Sequence, residues 1–177
     1  TPPHQYDIIF SDIYSSLYSL PVHATTQEFF RDLKSALAPD GVVIANVIGS
    51  LSRQEPSLAL SMMHTMREEF PNTAFFAVRD RAERGVQNII FVGINGSAHL
   101  DAGDYETHRI DPDRFDLSRY PVFTDVHAPV ERATRALFEL REEGPGFSGE
   151  EALALIAQQL SYGPRFVGSQ GHAAMQG

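Results

Sequence analysis

Asp12 is the side chain of this sequence best placed for acid–base chemistry. It follows residues 6–10, a short apolar run whose isoleucines and polar flanks predict a buried strand of a parallel sheet. In open parallel sheets, ligands bind in the crevice beyond the carboxyl ends of the strands. A carboxylate there can accept a proton from a substrate. It can also simply cap a turn at the strand end, and position alone does not decide between the two roles.

The segment that follows Asp12 is suited to covering such a crevice. Residues 13–24 include the hydroxyl side chains of Tyr14 and Ser15 and connect the strand to the next predicted helix. This connection is longer than the roughly 2–6 residues that usually join a strand to a helix. A second buried strand is predicted over residues 42–48, with Asn46 toward its end.

Two helices are predicted to pack beside these strands. Thr25 and Glu28 have the spacing of a capping box, and Gly41 is expected to take the left-handed position that ends the first helix. Pro56 opens the second helix. Its predicted buried stripe is Ala59, Met62, Met63, Met66 and Phe70.

Later elements complete an α/β fold with parallel strands and an antiparallel edge hairpin. Residues 73–78 and 87–92 predict the two hairpin strands, residues 97–121 an irregular surface segment, and residues 130–141 a further helix. We therefore predict one domain over residues 1–141, a linker over 142–147 and a separate helical, Gly-rich tail over 148–177.

Composition narrows the classes of partner. The formal charge of −9 argues against a nucleic-acid backbone or an anionic membrane and suits a cationic small molecule. There is no cysteine, which excludes disulfides and thiolate metal sites. No apolar run approaches the roughly 18 residues of a membrane span. Single histidines without paired ligand spacing predict no metal site.

Several stretches, taken in order, resemble the spermidine synthase family, especially the spermidine-synthase-like domains fused to transporter-like segments in bacteria. These stretches are residues 6–12, 26–30, 37–42, 86–90 and 123–131, and together they span about residues 5–138. The resemblance implies the C-terminal half of a Rossmann-like, S-adenosylmethionine-dependent domain. The glycine-rich turn and the acidic ribose-binding residue of such a domain belong to its other half. We therefore expect this fragment to bind no cofactor and to be inactive alone.

The resemblance also implies roles for individual residues. Asp12 matches the family's base for aminopropyl transfer from decarboxylated S-adenosylmethionine, and Tyr14, Ser15 and Asn46 are assigned to the amine substrate. Ser15 stands where the family has a second aspartate, which puts polyamine specificity in doubt. Val126 and His127 replace an acidic and an aromatic residue of the C-terminal signature, so we interpret His127 as part of a packing motif.

Three functions remain open at this stage. They are an aminopropyltransferase acting on a small amine, an S-adenosylmethionine-dependent methyltransferase, and a non-catalytic scaffold with the same fold. The resemblance implies a cytoplasmic protein, with a membrane tether only through segments that precede this chain, and it leaves a homo-oligomer open.

The tail carries a second resemblance. Ser148 and Glu151 have capping-box spacing, and residues 158–172 are similar to the start of M28 zinc aminopeptidases and glutaminyl cyclases. The metal ligands of that family lie further along its sequence, so none is expected here.

Overall fold

Five strands form one mixed sheet in the computed structural model, which describes residues 5–12, 20–79, 81–82 and 84–142. The strands are β1 (Tyr6–Ser11), β2 (Leu37–Ser50), β3 (Asn72–Ala77), β4 (Val86–Ile94) and β5 (Arg109–Ile110). Their order across the sheet is β1-β2-β4-β3-β5. β1 is parallel to β2, and β4 is antiparallel to both β2 and β3. The predicted fold class is confirmed, and the antiparallel strand of the hairpin lies inside the sheet.

The helices cover one face of this sheet. They are α1 (Gln27–Ala36), α2 (Leu58–Glu69) and α3 (Val130–Glu142). Side chains from all three share one core cluster with residues of β2, β3 and β4. The predicted inner stripe of α2 is confirmed, because each of its five members is at most 1% exposed: Ala59, Met62, Met63, Met66 and Phe70.

The opposite face is covered unevenly. Ala74, Phe76, Val92 and Ile94 form a second buried cluster there, against which Leu100 and Ala102 pack. The start of the segment predicted as irregular, residues 97–121, therefore covers this face near β3, whereas Leu117 and Tyr120 of the same segment join the core cluster on the other face. At β1 the same face is open, since Ile8 and Phe10 are each 65% exposed.

The predicted capping box at the start of α1 is wrong by one residue. The N-cap is Thr26, whose Oγ1 accepts a hydrogen bond from the Phe29 N–H at 3.4 Å. Thr25 instead donates its hydroxyl to the Val22 carbonyl at 2.7 Å and closes a short 3₁₀ turn. Glu28 does not turn back to the cap, because its Oε2 accepts from the Asp125 N–H at 3.0 Å.

The end of α1 also differs from the prediction. The helix ends at Ala36 and the chain enters β2 at once. The residue with positive φ is Asp40, at 60°, and not Gly41. Gly41 is needed for close packing, since a Cβ there would lie 2.9 Å from the Ala38 carbonyl oxygen. Asp40 and Gly41 both form backbone hydrogen bonds with Asn95, at 2.9 Å each, which holds them in the sheet.

Residues 123–125 are attached to the start of α1, although almost a hundred positions separate the two segments. The Thr26 hydroxyl donates to the Asp125 carboxylate at 2.7 Å, and the Gln27 N–H donates to the Phe123 carbonyl at 2.7 Å. Thr26 is fully buried. Two of the stretches that carry the family resemblance are therefore in direct contact, and their contact is structural.

Replacing Thr26 with valine should lower the free energy of unfolding by about 1–2 kcal/mol. The isosteric side chain removes the N-cap acceptor and the bond to Asp125 without changing the volume. Urea denaturation of both variants measures the loss. Thr26→Ser keeps the hydroxyl and serves as the control, with a much smaller loss expected. Equal losses for the two variants would show that the hydroxyl contributes nothing.

The chain divides into two units after Arg141. Of the second unit the structure describes only Glu142. The predicted linker, the capping box at Ser148 and the resemblance of residues 158–172 lie outside the described residues and stay predictions. Among the helices that the structure does describe, none has the length and apolar character needed to cross a membrane.

Candidate functional site

Asp12 lies at the carboxyl end of β1, as predicted. The strand runs parallel to β2, with Ser11 paired to Ala45, so that Asp12 is next to Asn46. The Asn46 Nδ2 donates a hydrogen bond to the Asp12 Oδ1 at 3.2 Å. Asp12 is exposed. The structure thus brings together two of the four residues assigned from the sequence.

Asn46 occupies the interior of its strand, since β2 continues to Ser50. A carboxylate has only acceptors to offer, so the Asn46 amide must turn its nitrogen toward Asp12. The Asn46 Oδ1 is buried and has no hydrogen-bond partner among the described residues. Leaving a buried acceptor unpaired costs about 1–3 kcal/mol. The pair therefore consists of one exposed carboxylate and one buried amide oxygen without a hydrogen-bond donor.

An apolar surface adjoins this polar pair. Alternation along the strands places Ile8 and Phe10 on the same face as Asp12, and Ile44 on the same face as Asn46. Ile44 also lines an open cavity of about 240 Å³ on this face. Its other lining residues are Phe76, Ile90, Val92, Leu100, Ala102 and Tyr105. An anionic head beside an apolar floor suits a ligand with a cationic head and a hydrocarbon chain.

No family model matches the chain, and no curated protein matches it. Among solved structures, a probable spermidine synthase from Corynebacterium glutamicum superimposes with a TM-score of 0.53 at 23% sequence identity. The match covers 72% of this chain and 50% of that one. The fold is shared with this probable spermidine synthase. The spermidine synthase from Thermotoga maritima matches with a TM-score of 0.34 and 19% identity, over 80% of this chain and 44% of that one.

The chain spans about half the length of these spermidine synthases. The Rossmann-like fold class expected from the resemblance is confirmed by the first of these matches. The spacing Gly-x-Gly-x-x-Gly occurs once in the sequence, at residues 144–149. It follows α3 and not a strand, so it lacks the strand-to-helix context of a nucleotide-binding turn.

The other residues assigned from the sequence lie elsewhere. Tyr14 and Ser15 fall outside the described residues, and their assignment to the substrate stays a prediction. His127 is exposed in a turn in which its N–H and carbonyl bond to the backbone of Thr124 at 3.0 Å. In the part of the chain that the structure describes, no three His, Asp or Glu side chains are grouped to hold a metal ion.

Sequence reasoning missed a second concave site. It is a cavity of about 200 Å³ lined by five arginines. The available signal was the loop between β3 and β4, which carries Arg79, Arg81 and Arg84 within six residues.

Proposed function

We propose that the chain is the C-terminal half of an aminopropyltransferase-like domain that acts on a small amine. The observation that carries this proposal is the exposed Asp12 carboxylate at the carboxyl end of parallel β1, hydrogen-bonded to Asn46 at 3.2 Å. Ligands bind beyond this edge in open parallel sheets. The fold shared with a spermidine synthase supports the same reaction class.

The proposed reaction needs a proton acceptor at this point. The nitrogen of the amine attacks the aminopropyl carbon bound to sulfur in decarboxylated S-adenosylmethionine. A C–N bond forms while the C–S bond breaks, and its electron pair stays on sulfur, which becomes a neutral thioether. The nitrogen then carries an excess proton, which Asp12 accepts and passes to solvent. Before the reaction, the same carboxylate attracts the cationic form of the amine, which releases one proton to solvent so that its lone pair is free to attack.

Asn46 has a positioning role in this proposal. Its amide holds one oxygen of Asp12 and leaves the other free for the amine. The open apolar face beside Ile8 and Phe10 accommodates the methylene chain of a diamine. Tyr14 and Ser15 are proposed to contact the amine as well.

The co-substrate site lies outside this chain in the proposal. The nucleoside co-substrate, decarboxylated S-adenosylmethionine or S-adenosylmethionine, binds mainly to a preceding half, so the chain alone is inactive and binds no cofactor. The protein acts in the cytoplasm, and any membrane association comes through that preceding region. A small-molecule amine is the partner, and nucleic acid is not.

A methyltransferase is the second candidate, and Ser15 is the observation that favours it. A hydroxyl there cannot supply the charge with which a second aspartate would hold the far amino group of a diamine. A methyl acceptor with a single polar group needs no such residue. The same fold would then use ordinary S-adenosylmethionine.

A two-donor assay on the complete protein, with the coding sequence upstream of Thr1 included, tests the proposal. We expect a new C–N bond when putrescine is mixed with decarboxylated S-adenosylmethionine, and mass spectrometry detects the product. Residues 1–177 alone, assayed in parallel, should give none. Methyl transfer from S-adenosylmethionine, without aminopropyl transfer, would replace the proposal by the second candidate. Inactivity with both donors would leave the non-catalytic scaffold.

A further inference from the structure

Five arginines converge on one cavity at the carboxyl ends of β2 and β3. The cavity has a volume of about 200 Å³. Its arginines come from three separate parts of the chain: Arg53 after β2, Arg81 and Arg84 between β3 and β4, and Arg109 and Arg114 around β5. The whole chain has only 14 basic residues and a formal charge of −9. More than a third of its positive side chains therefore meet at one concavity of an acidic protein.

Arg109 is fixed in place on one side of the cavity. It donates two hydrogen bonds to Glu106, at 2.6 and 2.5 Å, and its guanidinium lies 4.9 Å from the centre of the Phe76 ring. The hydrogen bonds from Arg109 lower the pKa of Glu106 to about 2. The pair is therefore fully ionised at neutral pH, and its charges neutralise each other.

Arg53 is fixed on the other side. Its Nη2 donates to the carbonyl of Arg114 at 2.8 Å, and its guanidinium lies 6.0 Å from the centre of the Phe115 ring. This backbone bond uses one donor and compensates no charge. A planar guanidinium that is already held by a ring and a carbonyl loses little further conformational entropy when it binds a ligand.

Among the side chains that the structure describes, most of the positive charge at the cavity has no acidic partner. Asp111 is the one carboxylate among the described lining residues, and it accepts the Asp113 N–H at 3.0 Å to cap a short turn. Within the described residues, no ion pair joins Arg81 or Arg84 to an acidic side chain, and the same holds for Arg53 and Arg114. Leu51, Ile110 and Phe115 supply an apolar wall. Charges beside such a wall are screened less than on an open surface.

We propose that this cavity binds a small phosphate-bearing anion. Guanidinium groups form paired hydrogen bonds with phosphate oxygens, so a cluster of arginines suits such a ligand. The volume lies below the roughly 300–1,000 Å³ of pockets for drug-sized ligands, and it fits a phosphate or diphosphate group. The site is separate from Asp12 and does not rest on the proposed aminopropyl transfer.

Calorimetric titration of the full chain with pyrophosphate, and separately with inorganic phosphate, tests the site. We expect a dissociation constant below about 1 mM for pyrophosphate. Arg81→Gln combined with Arg84→Gln should weaken it by at least about tenfold, or about 1.4 kcal/mol. Both side chains are exposed, so the double variant should fold like the parent. If phosphate binds as tightly as pyrophosphate, the ligand is the free ion. If pyrophosphate binds clearly more tightly, the ligand is a phosphate group on a larger molecule. Either result supports the site.

Arg132→Gln combined with Arg135→Gln is the matched control. These arginines are exposed on α3 and do not line the cavity, and their loss changes the net charge by the same amount. The control should bind pyrophosphate within about twofold of the parent. Equal weakening in the two double variants would reduce the effect to general electrostatics and overturn the proposal. The proposal would also be overturned if the parent chain showed no detectable binding of pyrophosphate at about 10 mM, or if it bound sulfate with equal affinity.

Discussion

Replacing Asp12 with asparagine in the complete domain is expected to slow aminopropyl transfer by about 100-fold to 10,000-fold, the range that a general acid–base group contributes. Asparagine has the same shape and keeps an oxygen for the hydrogen bond from Asn46. It has no negative charge, so it can neither accept the proton from the amine nor attract the cationic amine. The expected loss therefore falls mainly on kcat, with a rise in KM for the amine.

Asp7→Asn is the control for this variant. Asp7 lies on the same strand and is exposed, but it is five positions away from Asp12 and has no contact with Asn46 among the described hydrogen bonds. Both variants remove one negative charge from β1, but only Asp12→Asn removes the proposed base. Initial rates measured with the two variants at several pH values therefore separate the loss of the base from a general effect of charge. If Asp12→Asn retains more than about a tenth of the parental rate, the carboxylate is not the base, and the proposed mechanism is wrong.

Asn46 refines the same test, because it acts through Asp12. Asn46→Leu removes the hydrogen bond to the carboxylate and also removes the unpaired buried oxygen. A positioning residue should change the rate less than Asp12→Asn does and should shift the pH profile. A purely structural residue would leave that profile in place.

The sequence predicts those parts of the fold that depend on periodicity. The apolar run of β1 and the methionine stripe of α2 appear in the structure because burial against a sheet requires that spacing. Asp12 is predictable for the same reason, since the end of a parallel strand is visible in the sequence as the end of an apolar run.

Local choices between neighbouring residues are not predictable from the same patterns. Thr25 and Thr26 are equally good N-caps by type, and the contact of Thr26 with Asp125 decides between them. Asp40 takes the left-handed conformation beside a glycine, because the sheet pairs both residues with Asn95. Each outcome depends on a partner that is distant in the sequence.

The arginine cavity illustrates the same limit for function. Its five arginines are spread between Arg53 and Arg114, over more than sixty positions of the sequence. Residues so far apart do not form a recognisable sequence motif. Only the order of strands brings them together, because β3 and β5 are neighbours while β4 lies between β2 and β3. Residue spacing in the sequence does not reveal a site that the strand order assembles from distant segments. It can reveal a site at the end of a single strand.

Phe91→Ala should lower the free energy of unfolding by about 3–5 kcal/mol, a large part of the 5–15 kcal/mol typical of a domain. Phe91 is fully buried in β4, the middle strand of the sheet. Its ring meets that of Phe75, directly opposite on β3, edge to face with 4.9 Å between ring centres. Truncation leaves a cavity under α2 and removes this aromatic pair. Denaturant unfolding measures the loss, and Phe91→Leu provides a milder variant if the alanine variant does not fold.

Phe10→Ala is the matched control, since this phenylalanine is also in a strand but is 65% exposed. Its replacement should change the stability of this chain by no more than about 0.5 kcal/mol. A double-mutant cycle between Phe75 and Phe91 should show a coupling of about 0.5–1.5 kcal/mol. Equal losses for Phe10→Ala and Phe91→Ala would contradict the burial pattern of the sheet. If the proposed preceding half covers the open face of β1, Phe10→Ala will cost clearly more in the complete protein than in residues 1–177, because the ring is then buried.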